Sequence, residues 1–197
     1  MQTETQTMKA LMQEKWNKRP LIISGPCSAE TEDQMVETAT RLAKTGKVDM
    51  LRAGIWKPRT KPGLFEGNGI VALPWLAKAK QITGLPTTVE VATGKHVEDA
   101  LKFNVDMLWI GARTTVNPFS VQEVADALRG VEVPVLIKNP IHPDLELWSG
   151  AIERLQKVGL NKLGMIHRGI SSYSNTEFRN APMWHLPIEM KRRFPDM

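Results

Sequence analysis

The sequence predicts an α/β protein with a parallel sheet covered by helices, and three observations carry that prediction. Six short, β-rich apolar runs punctuate the chain: 21–24, 49–53, 86–91, 107–110, 134–138 and 163–166. They begin 21 to 37 residues apart, which suits one strand plus one crossover helix. The stretches between them repeat apolar residues at helical spacing. Strict alternation of the two patterns places the strands parallel and the helices outside.

The helical stretches carry start and stop signals. Thr31 and Gln34 form a capping box ahead of Met35, Thr38, Ala39, Leu42 and Ala43, and Gly46 fits the stop. From Gly69 to Thr83 the period is helical through Ile70, Leu73 and Ala77, with Pro74 expected to kink or delay the helix. Asn117 and Pro118 read as N-cap and first helical residue before Val121, Val124, Ala125 and Leu128. Asp144 opens a helix through Leu145, Trp148, Ala151, Ile152, Leu155 and Val158, and Gly159 ends it. Residues 1–20 read as an N-terminal leader or helix, and 181–197 as a Pro-rich tail. Six units suit either an open doubly wound sheet or a (β/α)8 barrel, and the apolar runs do not separate the two.

Composition narrows the function classes. The 197 residues are 42% hydrophobic and 24% charged, which suits one soluble globular domain. No run approaches the roughly 18 apolar residues that span a bilayer. The N-terminus lacks the apolar core of a signal peptide, so the expected location is the cytoplasm. A single cysteine, Cys27, excludes an internal disulfide and any multi-cysteine zinc site. The net charge of +5 means either a solvated basic surface or anionic substrates, and the position of the charges has to decide.

In either architecture, function gathers where strands end and loops begin. Those positions hold Gly25-Pro26-Cys27-Ser28, then Arg52 with Lys57-Pro58-Arg59-Thr60, then Glu90, Gly111-Ala112-Arg113, Lys138-Asn139-Pro140 and His167-Arg168-Gly169. Each piece has a plain reading: a turn with a structural thiol, a basic turn, a solvated arginine, a packed histidine. Together they deliver Arg52, Lys57, Arg59, Arg113, Lys138 and Arg168 to one rim with one carboxylate, Glu90, among them. An unpaired cation at the inner end of a strand is costly, so the cluster calls for anions. Phosphate and carboxylate groups match the planar fork of arginine.

The motifs GPCS at 25–28, LRAGIWKPRT at 51–60, TVEV at 88–91, IGARTTVN at 110–117, IKNP at 137–140 and HRG at 167–169 resemble, in order and spacing, the 3-deoxy-7-phosphoheptulonate synthases, compact β-subclass of type I. KPRT is the most specific piece; the related 3-deoxy-octulosonate 8-phosphate synthases share the GPC start but carry a KANRSS-type sequence there. The resemblance implies a barrel of the TIM type and condensation of phosphoenolpyruvate with erythrose 4-phosphate, in the shikimate route to aromatic amino acids. It implies that Cys27 is one of four ligands of a divalent metal (manganese, iron, cobalt or zinc). It implies that Arg52, Lys57, Glu90, Ala112 (through its backbone), Arg113, Lys138 and Arg168 bind phosphoenolpyruvate. Lys57, Pro58, Arg59 and Thr60 would hold erythrose 4-phosphate, and Lys57 and Cys27 would stand at the reacting centre. A homo-oligomer is implied for the full-length form, and some bacterial relatives carry a chorismate mutase domain after the barrel.

The family's remaining His, Glu and Asp ligands lie on and after strands 7 and 8, behind a DPSH-type motif this sequence does not contain. None of His96, His142, His167 or His185 matches the missing histidine. The expectation is a barrel domain over 21–197 with about six of its eight units, truncated and weak in metal binding. Two other functions compete: a non-catalytic phospho-ligand-binding or assembly module without the metal site, and a 3-deoxy-octulosonate 8-phosphate synthase. Nucleic-acid binding is disfavoured, because the basic residues fall at strand ends without interleaved aromatics.

Overall fold

The computed structural model describes residues 20–173 and 177–197; the expected leader at 1–20 lies outside them except for Pro20. Six parallel strands form one sheet: β1 (Ile23–Ser24), β2 (Met50–Ala53), β3 (Thr87–Val91), β4 (Met107–Ile110), β5 (Val135–Lys138) and β6 (Leu163–Ile166). Each sits within or on its predicted run. β1 is the shortest, because Ile22 already spends its N–H on the Asp49 carboxylate at 2.8 Å.

The order in the sheet is the order in the chain, β1 to β6, all parallel. A doubly wound sheet reverses direction at a switch point; this one never does. Right-handed crossovers with no reversal put every helix on the same face, which is the wall of a barrel. The packing agrees. Leu51, Ala53, Val89, Val91, Leu108, Ile110, Val135, Ile137 and Leu163 join the helices in one large core. The alternate residues face the other way, and Ile23, Met50, Met107 and Leu136 form a separate small cluster there.

Seven helices complete the described residues: α1 (Glu32–Lys44), α2 (Leu73–Thr83), α3 (Gly94–Lys102), α4 (Ala112–Thr115), α5 (Pro118–Ala127), α6 (Leu145–Lys157) and α7 (His185–Arg193). The predicted caps are in place. Thr31 accepts from Gln34 N at 3.1 Å, Asn117 from Phe119 N at 3.0 Å, and Asp144 from Leu147 N at 2.9 Å. Pro74 delays its helix rather than kinking it: a 3-10 turn over Gly69–Ala72 precedes α2, and Pro74 falls in the first turn, where no N–H is needed.

Three of these helices, α3, the one-turn α4 and α7, lie outside the sequence expectation. α3 is capped by Thr93, which accepts from His96 N at 3.2 Å. α7 corrects the reading of 181–197 as a tail. Pro187 lies in its first turn, Leu186 and Met190 are buried, and Arg193 donates to Glu146 of α6 at 2.7 Å. Arg192 and Arg193 also clasp Glu189, holding its carboxyl down at about 2.

Candidate active site

The β1 loop is laid directly on the end of β2. Gly54 N donates to Pro26 O at 3.3 Å and Ala29 N to Gly54 O at 3.0 Å. A side chain at Gly54 would put its Cβ 1.8 Å from the Cys27 carbonyl oxygen, so this contact requires glycine. The capping glutamine helps to hold the same loop: Gln34 Nε2 donates to Ser28 O at 3.0 Å. Cys27 is thereby presented, exposed, beside two cations. Lys57 Nζ donates to Cys27 O at 2.5 Å and to its Sγ at 3.2 Å, and Arg52 Nη2 donates to Cys27 O at 3.3 Å. The Lys57 hydrogen bond lowers the Cys27 thiol pKa; burial opposes it, and the charges of Lys57 and Arg52 add to the lowering.

The loop after β2 folds back over the sheet end. Lys57 N donates to Glu66 O at 2.7 Å and Arg59 Nε to Phe65 O at 2.8 Å. Trp56 stacks on His96 with ring centroids 4.2 Å apart and planes 12° from parallel. That half-buried imidazole is held below its ordinary pKa by burial, with Asp99 and Glu123 opposing.

The floor of the site comes from strand register. Glu90 is paired with Trp109 across β3 and β4, so both side chains stand on the face away from the helices. Trp109 Nε1 donates to Glu90 Oε2 at 2.7 Å, and Lys138 Nζ approaches the same oxygen at 3.3 Å. Gly111 leaves room for the carboxylate; a Cβ there would sit 2.1 Å from Glu90 Oε1. Lys138 and Arg52 both approach the Trp109 ring, at 5.1 and 5.5 Å from its centroid, within cation–π range. Burial pulls the Lys138 pKa down, with Glu90 opposing and the charges of Arg52 and Arg168 reinforcing the fall.

Above this floor lies a cavity of about 430 Å³. Its walls bring together Cys27, Arg52, Lys57, Pro58, Arg59, Thr60, Glu90 and Arg113, eight of the predicted site residues from four strand ends. Arg113 Nη2 lies 3.4 Å from Thr60 Oγ1. Ala112, Lys138 and Arg168 are outside the lining: Ala112 is buried as the first residue of α4, and Lys138 is tied to Glu90. Arg168 donates through Nη2 to Asn180 Oδ1 at 2.5 Å, while its Nη1 is buried with no partner. Burial lowers the Arg168 pKa, and the charges of Arg113 and Arg179 lower it further. The buried Arg52 Nε also has no partner. Cationic N–H groups without protein partners suit the binding of an anion.

The family model described as the DAHP synthetase I family matches residues 8–195, nearly the whole chain. The chain belongs to the DAHP synthetase I family. A phospho-2-dehydro-3-deoxyheptonate aldolase of Thermotoga maritima is 31% identical over 170 residues, covering 86% of this chain and 48% of that protein. A crystal structure of a T. maritima DAHP synthase superposes with a TM-score of 0.74 at 30% identity, covering 87% of this chain and 48% of the other. A truncated form of the T. maritima 3-deoxy-D-arabino-heptulosonate 7-phosphate synthase gives 0.70 at 28% identity, covering 87% of this chain and 60% of the other. The chain spans about half the length of the curated relative it matches.

Within this DAHP synthetase I chain, sequence reasoning missed six wall residues: Gly54, Trp56, Lys61, Leu64, Trp109 and Arg179. Trp109 had a readable signal, since alternation along β4 places it on the side opposite Leu108 and Ile110. Arg179 had none. His167, just after β6, turns aside to the Pro182 carbonyl, 2.9 Å from its Nε2. The described residues do not by themselves fit a divalent cation, because no group of three or more His, Cys, Asp or Glu side chains gathers among them. No described helix is long and apolar enough to cross a membrane.

Proposed function

We propose that this chain carries the substrate-binding portion of a 3-deoxy-7-phosphoheptulonate synthase, a cytoplasmic enzyme that condenses phosphoenolpyruvate with erythrose 4-phosphate and releases phosphate. The observation behind this reading is the cationic cavity, where Arg52, Lys57, Arg59 and Arg113 converge around a single carboxylate already engaged by its neighbours. Residues 21–197 act as one barrel domain in this reading.

The residues suit binding and orientation. Arg52, with its free Nε, takes the phosphoenolpyruvate carboxylate; Arg113, Lys138 and Arg168, with the Ala112 backbone, take its phosphate. Arg59 and Thr60, with Pro58, hold the sugar phosphate. Two dianions brought into one cavity repel each other, and the surrounding cations offset that repulsion while fixing the reacting carbons at contact distance. The enol carbon then attacks the aldehyde carbon, water adds at the phosphate-bearing carbon, and phosphate leaves. Lys57, beside both binding regions, is placed to give a proton to the oxygen that becomes negative on the aldehyde. Glu90 holds Lys138 in place and orients a water or phosphate contact.

A divalent metal and homo-oligomeric assembly belong to the same reading. Cys27 would be the metal's ligand from this chain.

Calorimetric titration of the chain tests the proposal. Phosphoenolpyruvate should bind and pyruvate should bind at least tenfold more weakly, because about that much follows from losing charge-assisted bonds to phosphate. Arg113→Ala should remove most of the difference. Equal affinity for the two ligands, or no binding of phosphoenolpyruvate, would defeat it.

A further inference from the structure

The segment after β6 leaves the sheet and comes back. Ile170 and Ala181 exchange both backbone hydrogen bonds, each at 2.8 Å, as an antiparallel bridge. His167 reaches the Pro182 carbonyl at 2.9 Å, and Arg168 reaches the Asn180 side chain at 2.5 Å. Gly169 lets the two passes touch: its φ is +81°, and a Cβ there would lie 2.8 Å from Ala181 O. The returning strand of chain is therefore pinned at residues 180, 181 and 182. The residue just before the pins, Arg179, lines the same cavity as Arg59 and Arg113.

We infer that Arg179 is a phosphate-binding residue of this cavity, supplying a third guanidinium beside Arg113 and Arg168 to a phosphate monoester dianion. The inference rests on the reading that the cavity takes phosphorylated anions. Three features support it. Glu90 is the only carboxylate lining the cavity among the described residues, and Trp109 and Lys138 already occupy it. Arg168, already lowered in pKa by burial, also feels the positive charges of both Arg113 and Arg179. The Nη1 of Arg168 is buried and has no hydrogen-bond partner. Like charges held together by a pinned backbone are costly when empty and favourable once a dianion binds. Asn180 and Arg179 thus act as a pair: one aims Arg168, the other faces the ligand.

The test uses Arg179→Ala, Arg179→Lys and Arg113→Ala in the full chain, with circular dichroism as the fold control. The probes are inorganic phosphate, phosphoenolpyruvate, erythrose 4-phosphate and pyruvate, titrated calorimetrically at constant ionic strength. Arg179→Ala should weaken inorganic phosphate and at least one phosphorylated substrate by about tenfold, the effect of one charge-assisted contact. Pyruvate should be unchanged and Arg179→Lys intermediate. The substrate that loses affinity identifies which phosphate Arg179 holds. Wild-type-like binding by Arg179→Ala, with Arg113→Ala weakened, overturns the inference and leaves the cavity reading standing. Equal weakening of pyruvate overturns it too, since that is a general field and not a contact. Failure of the unmodified chain to bind any phosphorylated probe overturns both.

Discussion

The two ends of the sheet handle charge in opposite ways. At the end where strands begin, the carboxylates are fully employed. Asp49 accepts from Ile22 N at 2.8 Å; Asp106 accepts from Thr87 N at 2.7 Å, from Thr87 Oγ1 at 3.0 Å and from Lys80 at 2.7 Å. At the end where strands finish, cations converge and two buried guanidinium nitrogens, Arg52 Nε and Arg168 Nη1, go without partners. At one end these two carboxylates are satisfied by the chain itself. The other is incomplete until something else supplies the negative charge. Removing a charged or polar partner should therefore cost fold stability at the first end and ligand affinity at the second.

Four substitutions and one titration can break or sharpen that contrast. Gly54→Ala should have the largest effect, because its Cβ would drive into the Cys27 carbonyl. A loss of about 3 kcal/mol is expected, at the upper range for overpacking, and it should appear as a lower denaturation midpoint at unchanged slope. Asp106→Ala should come next. It strands the N–H of the buried Thr87, a cost of about 1–3 kcal/mol, and a Tm fall of about 5 °C in calorimetry would register it. Phosphoenolpyruvate affinity should stay within twofold.

Arg113→Ala should do the reverse. Its removal relieves repulsion on Arg168, so stability without ligand should hold within about 0.5 kcal/mol or rise, while phosphate binding collapses. A marked loss of stability in Arg113→Ala would erase the distinction between the two ends. Glu90→Gln lies between them: it withdraws the charge facing Lys138 and should lower both stability and affinity, read in the same two assays.

The smallest effect concerns the imidazole under Trp56. Burial holds the folded-state pKa of His96 below its unfolded value, so the folded state resists protonation. The stability this represents is present above the unfolded pKa of about 6.5 and is lost as pH falls below it toward the folded pKa. Melting curves between pH 7.5 and 5 should show a small acid loss that His96→Gln removes. An identical pH slope in the variant would dismiss it.

The strands were legible because each is a short apolar run bounded by turn residues, and the caps because Thr31, Asn117 and Asp144 have side chains that can do little else there. The barrel was expected through the family resemblance, and the strand order bears it out, but the apolar runs alone did not show it. Leu51, Leu108 and Ile137 look the same in a doubly wound sheet, and only the sequential strand order separates the two. Most of the candidate site was legible because cations at strand ends are conspicuous in a sequence. Trp109 is easily passed over because a tryptophan inside an apolar run reads as core; alternation along β4 hints at its side, and its register opposite Glu90 shows that it faces the site. Arg179 was invisible for a different reason. It follows no strand, and it reaches the cavity only through the bridge between Ile170 and Ala181. Long-range pairing of that kind leaves no local pattern.

The sequential strand order also has a temporal meaning. Among the described strands each lies beside the strand made just before it, so pairing can follow the order of synthesis. During synthesis at about 5–20 residues per second, the cavity would be assembled in the order it is encoded. The junction of Cys27, Arg52 and Lys57 comes first, the Glu90 floor is locked when Lys138 emerges, and Arg168 is aimed last, by Asn180. A nascent chain of this protein would pass through a series of partial cavities, each more strongly anion-seeking than the one before.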